Sequence, residues 1–183
     1  METKVVLVEA VHNMKAKLIN VLRRSDGKIG DIVLFQNDLL NFVAELKECD
    51  ANDFKEGVEY EIDAKFYCHE IIGVYQNEED FHKDVESMNV ESIIPVGSMP
   101  MEEDADFEPS PMNFINTVVD EVIDNTLLDA PDNFVFFEGR LFGFRLDQCL
   151  YFEDTDARIE LAAGDIVSGI YWAEVYLDEK VVN

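Results

Sequence analysis

The sequence brings a thiol, an imidazole and a carboxylate together in Tyr67-Cys68-His69-Glu70. These residues end a strand-like run, and neighbouring residues of a strand point to opposite faces of its sheet. Zinc ligands must converge on one point, usually from spaced pairs. Cys68 lies on the apolar side of the run and is interpreted as a core residue. His82 stands among acidic residues of a predicted helix and is interpreted as a solvated side chain, and His12 has no recognisable partners in the sequence, so no metal site is predicted.

Motifs for other catalytic chemistry are absent from the sequence. The carboxylates near 129–132 and 153–156 lack the DxDxDG order and distant Glu of a calcium loop. Neither GxSxG nor the phosphate-binding patterns GxGxxG and GxxxxGK[ST] occur. With 40 acidic residues, pairs of carboxylates for acid–base catalysis cannot be singled out. We expect a protein that is not an enzyme and holds no cofactor. A carboxylate-based enzyme is the third alternative.

The charge of the chain is strongly negative and uneven. Forty Asp and Glu against fourteen Lys and Arg give −26 over 183 residues. Residues 1–28 contain six basic and three acidic residues, a net of +3, so the remainder carries −29. Such a surface repels nucleic acids and anionic membranes and attracts basic proteins. Direct binding to nucleic acids or to anionic membranes is therefore disfavoured.

The acidic residues form three ordered groups. Alternate residues of a strand project about 6.6 Å apart on one face, which is close to the spacing of phosphates along a nucleic-acid strand. The three groups, which we predict to bind the partner, are Glu59, Glu61 and Asp63 on a strand, Glu78, Glu79, Asp80, Asp84 and Glu86 on a helix, and Glu102, Glu103 and Asp104 in a loop.

These patterns favour a non-enzymatic acidic protein that engages a basic protein surface. An inhibitor, an immunity protein or a nucleic-acid mimic directed at a toxin or nucleic-acid-binding protein is the sharpest form of this hypothesis. The alternative is a scaffold or housekeeping interaction domain in which the charge serves solubility only. Electrostatic steering would make the first kind of binding sensitive to salt.

The cysteines and the apolar segments indicate a cytoplasmic protein. Cys49, Cys68 and Cys149 are far apart and form no CxxC pair, which is typical of reduced thiols. Residues 4–11 are interrupted by Glu9 and make a poor signal-peptide core. The sequence contains no apolar run long enough to span a membrane.

Periodicity predicts mostly strands. Residues 1–24 fit a short strand followed by either a helix or a second strand. Residues 58–69 alternate strictly and predict a strand with one buried face, and 71–76 predict the next strand. Asn77 can cap a helix over about 78–88. Further strands are predicted over 114–123, 134–146 and 166–177.

The predicted fold is α+β and β-rich, a curved antiparallel sheet or small OB-like barrel with one or two short helices. We expect one compact domain, residues 1–183, which can be subdivided into 1–97 and 112–183 around an acidic, proline-containing loop at 98–111. The tetrapeptide GDIV occurs at 30–33 and 164–167 and is interpreted as two ordinary turn-to-strand junctions, although an internal duplication stays open.

Aromatic residues are dense between 134 and 172. Base stacking on an OB-like sheet needs a basic groove, and only Arg140 and Arg145 are near, which the sequence predicts on opposite faces of one strand. We therefore expect these aromatic side chains to form the core.

Overall fold

The computed structural model describes residues 3–5, 12–38, 40–98, 108–141 and 144–181. These residues form ten strands, one α-helix and three short 3₁₀ helices. The strands are β1 (Thr3–Val5), β2 (His12–Arg23), β3 (Ile32–Gln36), β4 (Asn41–Leu46), β5 (Glu59–Tyr75), β6 (Ser92–Ile94), β7 (Met112–Ile123), β8 (Phe134–Leu141), β9 (Phe144–Phe152) and β10 (Ile166–Val181). Helix α1 spans Glu78–Asp84, and the 3₁₀ helices span Ala51–Asp53, Val96–Ser98 and Thr155–Ala157.

The strands are hydrogen-bonded in the order β1-β9-β8-β7-β10-β4-β3-β2-β5, with β6 paired to β7. An additional pairing of β10 with β5 brings this order back on itself and makes a partial ring. The meanders β2-β3-β4 and β7-β8-β9 are antiparallel, whereas β10 lies parallel to β4. The predicted β-rich, antiparallel and nearly closed sheet is thus confirmed.

The chain divides into two compact units that are interleaved in sequence. The first unit contains residues 1–10, 67–92 and 115–171. The second contains residues 11–66, 93–114 and 172–183. Strands β5, β7 and β10 contribute residues to both.

The second unit shows why the start of the chain is a strand and not a helix. Met14, Ala16 and Leu18 of β2 are buried while the residues between them are exposed, which is a period of two. Of the two alternatives for this segment, the structure therefore has the strand. The predicted strand at 58–69 is confirmed, since Tyr60 and Ile62 are buried and their neighbours are half-buried. The prediction of a separate next strand at 71–76 was wrong, because β5 continues without interruption to Tyr75.

The first unit corrects the prediction of a single strand over residues 134–146. Arg140 pairs with Arg145 and Leu141 with Phe144, so the chain reverses between β8 and β9. Cross-strand partners share a face of the sheet. The prediction that Arg140 and Arg145 face opposite sides was therefore wrong. The aromatic residues are divided as well, since Phe137 and Tyr171 are buried whereas Phe134 and Phe136 are only half-buried.

Helix α1 of the first unit confirms the predicted short helix, although it ends at Asp84. The side chain of Asn77 accepts a hydrogen bond from the Asp80 amide at 2.8 Å and caps the helix. Phe81 is completely buried and packs with Val118 and Ile166. The buried side chain of Phe81 thus attaches the helix to the core of the first unit.

The element order of the chain repeats. A three-stranded meander, a 3₁₀ helix and a long strand occur first as β2 to β5 and again as β7 to β10. The two GDIV copies do not match in this repeat, because one precedes β3 and the other precedes β10. Both aspartates are nevertheless buried and accept backbone amides, Asp31 from Ser25 and Ala51 and Asp165 from Ala162. The motif is a structural junction used twice.

Gly30 is required by close packing. A Cβ at this position would lie 2.3 Å from the carbonyl oxygen of Leu46. We expect Gly30→Ala to lower the free energy of unfolding by about 2–3 kcal/mol, as overpacking does. Gly27 has a positive φ of 91° but open space around it, so Gly27→Ala should cost only about 1 kcal/mol of backbone strain. Urea unfolding measures both, and an equal or smaller loss for Gly30→Ala would contradict the packing argument.

Candidate functional site

The acidic row on β5 lies in the second unit, opposite two lysines and an asparagine on β2. Glu59, Glu61 and Asp63 share one half-buried face, as their alternation predicts. Their cross-strand partners in the antiparallel register are Lys17, Lys15 and Asn13. The Asn13 amide donates to Asp63 at 3.0 Å. Opposite charges directly across a strand pair attract one another. The row is therefore partly neutralised within its own sheet.

The acidic group on α1 lies in the first unit and is more open. Glu78, Glu79, Asp84 and Glu86 are exposed, and Asp80 is half-buried. The prediction that Glu86 lies on the helix was wrong, because α1 ends two residues before it. Lys83 lies 3.3 Å from Asp80, and this contact is exposed, so it neutralises little. Glu78 and Glu79 stand in the first turn of the helix, where the helix dipole favours negative charge. The helix thus displays carboxylates at little structural cost.

The third predicted group, Glu102, Glu103 and Asp104, lies outside the described residues. The neighbouring Glu108 is described, and one of its carboxylate oxygens lies 3.5 Å from the Arg23 guanidinium.

Several arginines are engaged in ion pairs within their own units. In the first unit, Arg140 contacts Glu91 at 2.7 Å and Asp120 at 2.8 Å. Arg145 lies between Glu138 and Asp147. In the second unit, Arg23 contacts Asp26 at 2.7 Å. Because these cations neutralise neighbouring carboxylates, they contribute little positive potential at a distance. The remaining acidic residues therefore dominate the outer field.

Sequence analysis missed a partly buried ion cluster of the second unit, formed by Glu45, Lys47 and Glu174. Glu45 is 3% exposed, and its carboxylate accepts the Gly30 amide at 2.8 Å. Lys47 lies 3.3 Å from Glu45 and 3.5 Å from Glu174. Burial opposes the charge on Lys47, but the two carboxylates outweigh it and raise the pKa of the lysine. An acidic residue in a strand is ordinarily predicted to be exposed, so nothing in the sequence indicated that Glu45 is buried.

A buried polar cluster lies in the first unit. The Tyr171 hydroxyl donates to the side-chain oxygen of Gln148, and both side chains are buried. Burial raises the pKa of Tyr171 well above its ordinary value, and the nearby Cys68 thiol adds to the shift. Burial also raises the pKa of Cys68 to about 12. Thiols held in this protonated form are poor nucleophiles. The cluster therefore supports packing rather than covalent catalysis.

Metal and membrane sites find no support in the described part of the chain. Among the described residues, no three His, Cys, Asp or Glu side chains converge to hold a metal ion. His69 is exposed while Cys68 is buried, in keeping with opposite faces of the strand. None of the helices in the described ranges is long and apolar enough to cross a membrane.

Comparison with protein-family models, with curated proteins and with solved structures finds no significant match to this chain. Function must therefore be inferred from the chemistry of the described residues.

The raised pKa of Cys68 predicts how stability changes at alkaline pH. An unfolded thiol loses its proton near pH 9.0, whereas the folded Cys68 keeps it until about pH 12. Stability from this group is complete below pH 9.0 and is lost as the pH rises between these values. We expect Cys68→Ala to flatten the fall in unfolding free energy over this range by up to about 1.4 kcal/mol per pH unit.

Urea unfolding at several pH values from 7 upward measures this slope. Cys49→Ala is the matched control, because the Cys49 side chain is only half-buried and its pKa is raised less. The slope rather than the absolute stability is compared, so a packing loss in Cys68→Ala does not interfere. An unchanged slope in Cys68→Ala would show that the thiol does not carry the effect.

Proposed function

We propose that this protein is a non-enzymatic acidic binding protein that engages a basic protein surface, as an inhibitor, immunity protein or nucleic-acid mimic does. The observation that carries the proposal is the set of exposed carboxylates on α1 and just after it, namely Glu78, Glu79 and Asp84 of the helix and Glu86 two residues beyond its end. They belong to a chain whose residues after 28 carry −29. A fixed array of this sign accelerates encounter with a basic partner.

The β5 row has a smaller part in this proposal than the helix. Lys15 and Lys17 face Glu61 and Glu59 across the strand pair, so a partner's cations would compete with cations already in place. The α1 carboxylates lack such an opposing row on their own element, where Lys83 contacts Asp80. We therefore assign the main contact to α1 and an auxiliary one to Glu59, Glu61 and Asp63.

The partial ring of strands resembles an OB-like barrel, and such barrels include binders of oligonucleotides. Binding to single strands uses a positively charged groove beside aromatic platforms. In this chain Arg140 and Arg145 are bonded to carboxylates, which opposes that use. A partner that itself binds nucleic acid fits the charge better than nucleic acid does.

The second candidate function is a cytoplasmic scaffold domain whose charge serves solubility only. The pairing of Lys17 with Glu59 and of Lys15 with Glu61 favours it, because there the acidic residues serve the sheet itself. The two functions differ in salt dependence, since steered binding weakens with ionic strength and apolar docking does not.

The experiment compares two variants that each remove three negative charges. The α1 variant, Glu79→Gln/Asp84→Asn/Glu86→Gln, removes three exposed carboxylates on and just after the helix, and Glu56→Gln/Glu70→Gln/Glu160→Gln removes three exposed carboxylates elsewhere. Each protein is immobilised, incubated with native lysate at low salt and eluted with a salt gradient, and the eluate is identified by mass spectrometry. We expect one basic protein to leave wild type at a sharp salt concentration, and earlier from the α1 variant only.

Association rates of that purified partner should then fall about tenfold in the α1 variant at low salt, because steering is lost. A smear of unrelated basic proteins that leave early would favour the solubility function. If the captured protein elutes at the same salt concentration from the α1 variant and from its control, α1 is not the main contact.

A further inference from the structure

The turn between β7 and β8 in the first unit displays two leucines to solvent. Leu127 is 80% exposed and Leu128 is 48% exposed. Leu127 is the most exposed large apolar side chain among the described residues. A single exposed leucine is ordinary on a protein surface, but adjacent ones on a loop tip mark a contact surface when the loop is held in place.

The loop is held in place by its own hydrogen bonds. Asn125 is 7% exposed, and its side-chain amide donates to the carbonyl oxygens of Pro131 at 2.7 Å and Phe134 at 2.8 Å. Asp124 accepts from the backbone and hydroxyl of Thr126, both at 2.8 Å. Asp129 has a φ of 51°, in the left-handed region that most residues avoid. The leucines are therefore presented in one conformation, which lowers the entropic cost of binding.

The strands that carry the loop add an aromatic surface beside it. Phe134 and Phe136 are half-buried on the outer face of β8, and their rings stack at 5.9 Å. Tyr151 of β9 lies opposite Phe134 with its ring 5.1 Å away, and Ile123 of β7 lies opposite Phe136. Half-buried aromatic side chains on the strands that a leucine-bearing loop joins have the composition of an interface centre.

Carboxylates surround the leucines in sequence. Asp124, Asp129 and Asp132 are all exposed, and no basic residue occurs between 124 and 133. An apolar centre with an acidic rim is complementary to an apolar segment flanked by Lys or Arg. A second copy of this acidic chain, or an anionic membrane, lacks that complementarity.

We propose that Leu127 and Leu128 form, with Phe134 and Phe136, the apolar anchor for a basic amphipathic segment of a protein partner. This inference rests on the proposed function and deepens it, because it names the chemistry of the segment that the partner contributes. The carboxylates set the rate of encounter, and the leucines set the lifetime of the complex.

The test uses a defined probe. A fluorescent peptide of about 18 residues carries Leu on one helical face and Lys on the flanks. A scrambled peptide of the same composition has the same charge but no apolar face. Fluorescence anisotropy measures both affinities at about 0.15 M salt. We expect wild type to prefer the amphipathic peptide about tenfold, and Leu127→Ser/Leu128→Ser to reduce this preference to about twofold.

Ile72→Ser is the matched control, because Ile72 is a 54% exposed apolar residue of β5 outside the loop. It should keep the full preference. Leu127 and Leu128 are already exposed, so both variants should fold, and circular dichroism checks this. Equal affinity of wild type for the two peptides, or an undiminished preference in the leucine variant, overturns the inference.

The outcomes separate this inference from the proposed function. If both peptides bind wild type at low salt with equal affinity, the electrostatic proposal stands and the apolar anchor falls. If neither peptide binds wild type at low salt, the result contradicts the proposed function, and the inference that rests on it falls as well. Analytical ultracentrifugation of wild type and the leucine variant adds one more outcome. A dimer that disappears in the leucine variant would assign the loop to a second copy and overturn the inference.

Discussion

The second unit depends on the parallel pairing of β10 with β4. This pairing joins the last strand to an early one, and it places Glu174 beside Glu45 in register. Two carboxylates so close would repel each other, and Lys47 lies within 3.5 Å of both. The Lys47 amide also donates to the carbonyl oxygen of Val175 at 2.9 Å. The Lys47 side chain is 37% exposed, so it offsets the repulsion of the two carboxylates from a partly solvated position. The pairing from which the partial ring follows thus brings two carboxylates within reach of one lysine.

Strong local patterns made the positions of most strands predictable from the sequence, whereas the pairing of distant strands could not be predicted. The alternation over 58–69 and the cap at Asn77 act within a few residues and were read correctly. The reversal between β8 and β9 was missed, because an apolar run has the same periodicity in both of two paired strands. Asp31 and Glu45 were not recognised as buried. A buried carboxylate is stabilised by donors from distant segments, and the sequence does not show which segments meet.

The candidate site shows the same division between local and long-range information. Spacing alone placed Glu59, Glu61 and Asp63 on one face, and the structure has them there. Their opposing lysines became visible only through the register of β2 with β5. The carboxylates of α1 could be read from the sequence because a capped short helix determines its own exposed side. The exposure of Leu127 and Leu128 was not predicted, since it depends on the hydrogen bonds that Asn125 makes across the turn.

The interleaving of the units has a consequence for synthesis of the chain on the ribosome. Both units include residues of β10, which begins at Ile166. Neither unit can complete its contacts before this strand emerges, so the meander β2-β3-β4 must wait with an unpaired edge. Unpaired strand edges invite association with other chains. The abundant negative charge keeps nascent chains apart during that interval, so the same carboxylates that would attract a basic partner also protect the protein while it is still unfinished.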